Sequence, residues 1–103
     1  PVRSFKPLPQ FPSIERDVAM LVLEAVTHDQ VLAVVRDTKP DNLVRTELFD
    51  VFRGKNIPPG QKSVAYAFTY RHRARTLTDK EVNAAHEKLV TALRGELGAE
   101  IRD

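Results

Sequence analysis

The spacing of apolar residues predicts an α+β fold in the order β-α-β-β-α-β, with two helices on one face of a four-stranded antiparallel sheet. Three observations carry it. Two capping-box sequences are each followed by apolar residues at helical period, which marks two helices. Strand-like apolar stretches come before the first helix, between the helices as a pair joined by a proline-glycine turn, and after the second. The length of 103 residues allows one core but not two, so every element must share it.

Residues 1–12 carry prolines at positions 1, 7, 9 and 12. Their missing backbone donors disfavour a helix, so an extended lead-in is expected, as in a linker leaving a preceding domain, with the folded domain spanning 13–103. From Ile14 onward, the charges of Arg16 and Asp17 give way to the apolar run Val18-Ala19-Met20-Leu21-Val22-Leu23. Such a run fits a central strand buried on both faces. In Thr27-His28-Asp29-Gln30 the threonine hydroxyl and the glutamine side chain can each satisfy the other's backbone amide at a helix start. Val31, Leu32, Val34 and Val35 supply its apolar face, and Pro40 ends it by disfavouring helical angles at Lys39.

Leu43 to Arg53 alternates well enough for a second strand, and Gly54 to Gln61, with Pro58-Pro59-Gly60, forms a hairpin connection. The third strand, Lys62 to Tyr70, sets large Val64, Tyr66, Phe68 and Tyr70 against small Ser63, Ala65, Ala67 and Thr69. One of its faces packs and the other stays shallow. Thr78-Asp79-Lys80-Glu81 is the second capping box, and Val82, Ala85, Leu89, Val90, Ala92 and Leu93 continue at helical period. Gly95 and Gly98 mark the end of that helix, and Ala99 to Arg102 is a short last strand. Two helices this amphipathic must share one side of the sheet and leave the other open, which is the ferredoxin-like architecture.

Composition narrows the functional classes. Sixteen lysines and arginines against fourteen acids give +2, too mild an excess to argue for nucleic acid by itself. The distribution says more, because Arg71, Arg73 and Arg75 form a local positive segment with no acid before Asp79. That segment suits either phosphate contact or pairing with Asp79 and Glu81. The absence of cysteine excludes a disulfide framework and any thiolate metal site, and the cytoplasm is the expected compartment. No stretch has the roughly 18 apolar residues of a membrane span, and no signal-peptide core is evident.

The chain offers no catalytic constellation. The histidines at 28, 72 and 86 lack partners at metal-ligand spacing and are expected at the surface. The glycines at 54, 60, 95 and 98 stand singly, so there is no phosphate cradle, and no metal or cofactor is expected in this chain. Small phosphatases of this fold need a glycine-rich turn after the first strand, where this chain reads Glu24-Ala25-Val26-Thr27. The same absence disfavours a small-ligand-sensing regulatory domain, which stays open as the alternative reading.

Recognition is the remaining class. Strand parity puts Asp50 and Phe52 on one face of the second strand, with Phe49 and Val51 on the other. If the large residues of the third strand face the helices, Ser63 and Ala65 lie on the open side, and the hairpin brings Ser63 close to Phe52. Single-stranded RNA is read by stacking a splayed base on an aromatic ring and bonding its Watson–Crick edge. A carboxylate can accept from the N1–H and exocyclic amine of guanine, and small Ser63 and Ala65 leave room for a base. The plainer alternative is a solvated carboxylate, an edge aromatic under the hairpin and a small residue in a crowded sheet. A generic two-aromatic-strand RNA binder fits less well, since the first strand has no aromatic residue.

Four segments carry a family resemblance: Phe11-Pro12-Ser13-Ile14-Glu15-Arg16-Asp17, Leu48-Phe49-Asp50-Val51-Phe52-Arg53-Gly54, Ile57-Pro58-Pro59-Gly60-Gln61-Lys62-Ser63 and Arg75-Thr76-Leu77-Thr78-Asp79-Lys80-Glu81-Val82. In these the sequence resembles the ferredoxin-fold anticodon-binding domain at the C-terminus of the bacterial phenylalanyl-tRNA synthetase β subunit. The resemblance implies binding of the phenylalanine tRNA anticodon, whose first base is guanine. Asp50 would pair with that base, the ring at position 52 would stack on it, and Ser63 would add a hydrogen bond. Position 52 is commonly Tyr in this motif and is Phe here, so any phenol contact is lost. Arg16 and Asp17 are expected to anchor the first strand rather than touch RNA. The resemblance further implies a parent αβ heterotetramer, with the rest of the β subunit and the α subunit as partners. ATP and magnesium would be cofactors of that parent and not of this chain.

Overall fold

Thr27 and Thr78 start the two helices in the way their spacing requires. In the computed structural model, which describes residues 11–102, each threonine hydroxyl accepts from the backbone amide three residues on, and Gln30 or Glu81 accepts the threonine's own amide. The elements are β1 (Ile14–Leu23), α1 (His28–Thr38), β2 (Leu43–Phe52), β3 (Gln61–Tyr70), α2 (Asp79–Leu97) and β4 (Glu100–Arg102). Residues 1–10 of the expected lead-in lie outside the described residues. The strands form one antiparallel sheet in the order β2-β3-β1-β4. This is the ferredoxin-like arrangement, with β1 and β3 central.

Both helices lie on one face because their buried residues and those of the sheet form one cluster. Val31, Val34 and Val35 of α1 and Val82, Ala85, Leu89 and Leu93 of α2 pack with Val18, Met20 and Val22 of β1 and Val64, Tyr66, Phe68 and Tyr70 of β3. Helix α1 stops at Lys39, which takes the left-handed conformation at φ 49° and returns its amide to Val35. Helix α2 does not end at Gly95 but runs on to Leu97. Gly98, at φ 65°, supplies the left-handed cap, and Gly95 is an interior helical residue. The last strand accordingly starts at Glu100 rather than Ala99.

The expectation that β1 is buried on both faces needs correction. On the side away from the helices only Leu21 is buried, while Glu15, Asp17 and Leu23 are exposed and Ala19 is half-buried. Of the histidines, His28 is exposed as expected and His72 and His86 are half-buried. His28 Nδ1 lies 2.9 Å from the Tyr66 hydroxyl and His86 Nδ1 lies 3.1 Å from that of Tyr70, so each completes a buried tyrosine. Burial pushes both phenols up to about 12. Arg16 does anchor β1, donating to Asn83 Oδ1 at 3.1 Å and standing 3.8 Å from Asp79, both on α2.

Leu89 is fully buried between the sheet and α1. Leu89→Ala is therefore expected to lower unfolding stability by about 2–5 kcal/mol, the cost of lost transfer energy plus a residual cavity. Urea denaturation of both proteins measures the difference.

Candidate nucleic-acid interface

The register of β2 against β3 decides which side chains reach the open face. Leu48 pairs with Tyr66, whereas Asp50 pairs with Ala65, Val51 with Val64 and Phe52 with Ser63, so the ladder shifts by one residue between Leu48 and Asp50. Phe49 is the extra residue of this bulge. A strict two-residue period would put Leu48, Asp50 and Phe52 on one face. The bulge breaks that parity, leaving Leu48 against the core and turning Asp50 and Phe52 to the open side. Phe49 and Val51 are both exposed, Val51 on the helix side of the sheet edge and Phe49 at the bulge itself.

Cross-strand pairing then arranges the open face in rows. Phe52, Ser63, Leu21 and Glu100 form one row across β2, β3, β1 and β4, and Asp50, Ala65, Ala19 and Arg102 form the next. Further along lie Glu47, Ala67 and Asp17, followed by Arg45, Thr69 and Glu15. Ser63, Ala65 and Ala67 of β3 and Ala19 of β1, beside the larger Leu21, keep the middle of the face low, so it is a shallow trough walled on the β2 side by an exposed ring and an exposed carboxylate. Phe52 is 57% exposed, while Ser63 beside it is only 4% exposed, so a ligand reaches that hydroxyl only by entering the trough. Acids outnumber bases here, and Arg45 stands 3.3 Å from Glu47. The face therefore favours hydrogen-bond donors of a base over phosphate oxygens.

The structure brings Asp50, Phe52, Ser63 and Ala65 together, but not the arginines. Arg71 follows the far end of β3, eight residues from Ser63, or roughly 26 Å along the strand. Arg75 is engaged with Glu81, at 2.6 Å and 2.9 Å. Arg73 is exposed, Arg71 is half-buried, and the Arg71 amide donates to Asn42 O at 2.8 Å.

The hairpin that carries the site is built from two turns. Asn56, at φ 70°, closes Gly54 to Ile57, and Gly60, at φ 80°, follows Pro59 in a turn closed by Gln61 donating to Pro58. Sequence reasoning missed what ties it down. Arg53 donates both Nε and Nη2 to Glu24 at 2.8 Å, and the Glu24 amide donates to Gly60 O at 2.9 Å. Lys62 Nζ stands 3.8 Å from the same carboxylate. The Arg53 hydrogen bond holds the Glu24 carboxyl below the usual range. The available signal was Glu24 itself, the acid that follows the apolar run of β1.

Among the described residues no group of three His, Cys, Asp or Glu side chains could hold a metal ion, and no helix is long and apolar enough to cross a membrane. Fold and face together define a ferredoxin-like domain with an open sheet that carries an exposed ring and an exposed carboxylate side by side. Residues 9–102 match the family described as the ferredoxin-fold anticodon binding domain, and the chain belongs to that family. It is 45% identical over 97% of its length to a phenylalanine–tRNA ligase β subunit of Clostridium tetani, of which it covers 13%. The corresponding β subunits of Lactiplantibacillus plantarum and Anaeromyxobacter dehalogenans are each 46% identical, over 97% and 98% of the chain and 12% of the relative. The chain thus spans about one-eighth of the curated relatives it matches.

Two outcomes follow from this geometry. Arg75, then the Thr78 amide, hold the Glu81 carboxyl down at about 2 against an ordinary 4.5. Its contribution to the helix start is present above the ordinary value and is lost as pH falls through 2. Side-chain carbon NMR should show that low midpoint, and Arg75→Ala should move it upward. Asp50 and Phe52 are exposed, so Asp50→Ala and Phe52→Ala are each expected to change stability by less than about 1 kcal/mol, as chemical denaturation can check.

Proposed function

We propose that this domain reads the anticodon of the phenylalanine tRNA on the open face of its sheet, as part of a phenylalanine–tRNA ligase β subunit. The observation that carries the reading is the pair of adjacent rows Phe52–Ser63 and Asp50–Ala65, which set an exposed ring and an exposed carboxylate beside a floor of small residues. The first anticodon base would stack on Phe52. Asp50 would accept from its N1–H and exocyclic amine, a donor pair that guanine has and adenine lacks. Ser63 would meet the base from below, and Ala65 would leave the space it occupies. Arg71 and Arg73, at the far end of β3, would meet phosphates of the RNA stem rather than of the loop.

Aminoacylation itself would take place elsewhere. ATP and magnesium demand a phosphate cradle and oxygen ligands. Other parts of the parent enzyme would bind that pair, a reading supported by the single, scattered glycines of this chain. The rest of the β subunit and the α subunit would supply the chemistry, and binding here would orient the tRNA in the cytoplasm's translation machinery.

The test is titration of the chain with a phenylalanine anticodon stem-loop, comparing guanine with adenine at the first anticodon position. Guanine is expected to bind more tightly by about 1–3 kcal/mol, with NMR shifts centred on Asp50, Phe52 and Ser63. Asp50→Ala should erase the difference, and Phe52→Ala should weaken both loops by about 1–3 kcal/mol through lost stacking. Phe52→Tyr tests whether a phenol adds to recognition. Equal binding of the two loops by the unaltered chain, or stoichiometric binding of a free amino acid with dimerisation, would overturn the reading.

A further inference from the structure

The open face carries acids along most of its length, so an RNA strand lying on it needs a cation to receive its phosphate. Of the basic groups near Phe52, Lys55 lies in the hairpin beyond the end of β2, and the two flanking the sheet itself are already engaged. Arg53 is doubly bonded to Glu24, and Lys62 shares the same carboxylate. Arg45 faces Glu47, and Arg71, with Arg73 and Arg75 after it, lies past the other end of β3, Arg71 being roughly 26 Å from Ser63 along the strand. Arg102 differs from all of these. It is exposed, forms no ion pair with a described residue, and stands on the open face in the same cross-strand row as Asp50.

Its placement is fixed by the fold. Gly98 turns the chain out of α2, Ile101 pairs with Met20 and packs against the core, and the next residue must then point to the opposite face. Between Arg102 and Asp50 lie only Ala19 and Ala65. The two charged residues are three strand spacings apart, about 14 Å between backbones. A carboxylate and a guanidinium thus stand at opposite edges of one row, with a floor of methyl groups between them.

We infer that Arg102 is the phosphate anchor of this face, holding the backbone of the nucleotide whose base edge is offered to Asp50. This rests on the reading above, that RNA lies on the open sheet. The polarity follows from charge: within this row a phosphate is repelled from Asp50 and attracted to Arg102, and Glu100 in the next row confines that attraction to the Arg102 end of β4. Arg102 thereby fixes orientation and affinity, while the choice of base stays with Asp50.

The experiment compares the unaltered chain, Arg102→Ala, Arg102→Lys and Asp50→Ala in titrations with the guanine and adenine stem-loops over a series of salt concentrations, with circular dichroism confirming the fold of each. Arg102→Ala is expected to weaken both loops by the same factor and to reduce the slope of log affinity against log salt by about one. Arg102→Lys should keep the slope. Asp50→Ala should keep the slope and lose the preference for guanine. An unchanged slope in Arg102→Ala, or a loss confined to the guanine loop, would sink the phosphate assignment while leaving the anticodon reading in place. A chain that shows no guanine preference, or none that depends on Asp50, would sink the anticodon reading instead, and an unaltered chain that binds neither loop would remove both.

Discussion

Strand β3 bonds to β2 on one side and β1 on the other, and its alternation of large and small side chains sets both faces of the sheet. Val64, Tyr66, Phe68 and Tyr70 fill the space beneath the helices. The intervening Ser63, Ala65, Ala67 and Thr69 keep the opposite side low. A strand with bulk on both sides would bury a second layer there and close the trough. The same two-residue period therefore supplies the hydrophobic free energy of the core and the low open face on which the proposed recognition rests. His28 and His86 complete this design by meeting the hydroxyls of Tyr66 and Tyr70, allowing rings with polar tips to serve as core residues.

Most of this architecture is legible in the sequence because local signals and global fold agree. Both capping boxes, the helical apolar faces, the turn at Pro58-Pro59-Gly60 and the alternation of β3 each have a local cause that survives folding. The departures have equally local causes. Gly95 weakens a helix without ending one, since only a left-handed residue such as Gly98 caps it. The bulge at Phe49 is invisible to a period count. Parity still pairs Asp50 with Phe52 correctly, because both lie on the same side of the irregularity.

The site was legible in part. Asp50, Phe52, Ser63 and Ala65 converge because adjacent antiparallel strands joined by a short hairpin must bring them together. Long-range placements were not legible, and they separate the charges. Clustering in sequence made Arg71, Arg73 and Arg75 look like one basic surface, yet the strand they follow carries them to the far end, where Glu81 takes up Arg75. Glu24 and Arg53, 29 residues apart, meet only because β1 and β2 end on the same side of the molecule. A linear reading of charge sees density, whereas the fold sorts charges by strand end and by face.

The bulge between Leu48 and Asp50 has a bearing on how such a chain can vary. Insertions in the loop from Gly54 to Gly60 would lengthen a solvent-exposed turn and leave the ladder's register intact. Losing Phe49 would remove only the extra residue, leaving Leu48 inward and Asp50 and Phe52 on the trough side of an unbroken ladder. Closing the ladder with Phe49 retained would instead send Asp50 and Phe52 to the helix side and Val51 to the trough, and the face would be blank. Drift in length is therefore tolerated in the loop, while a one-residue slip of register a few positions upstream silences the domain.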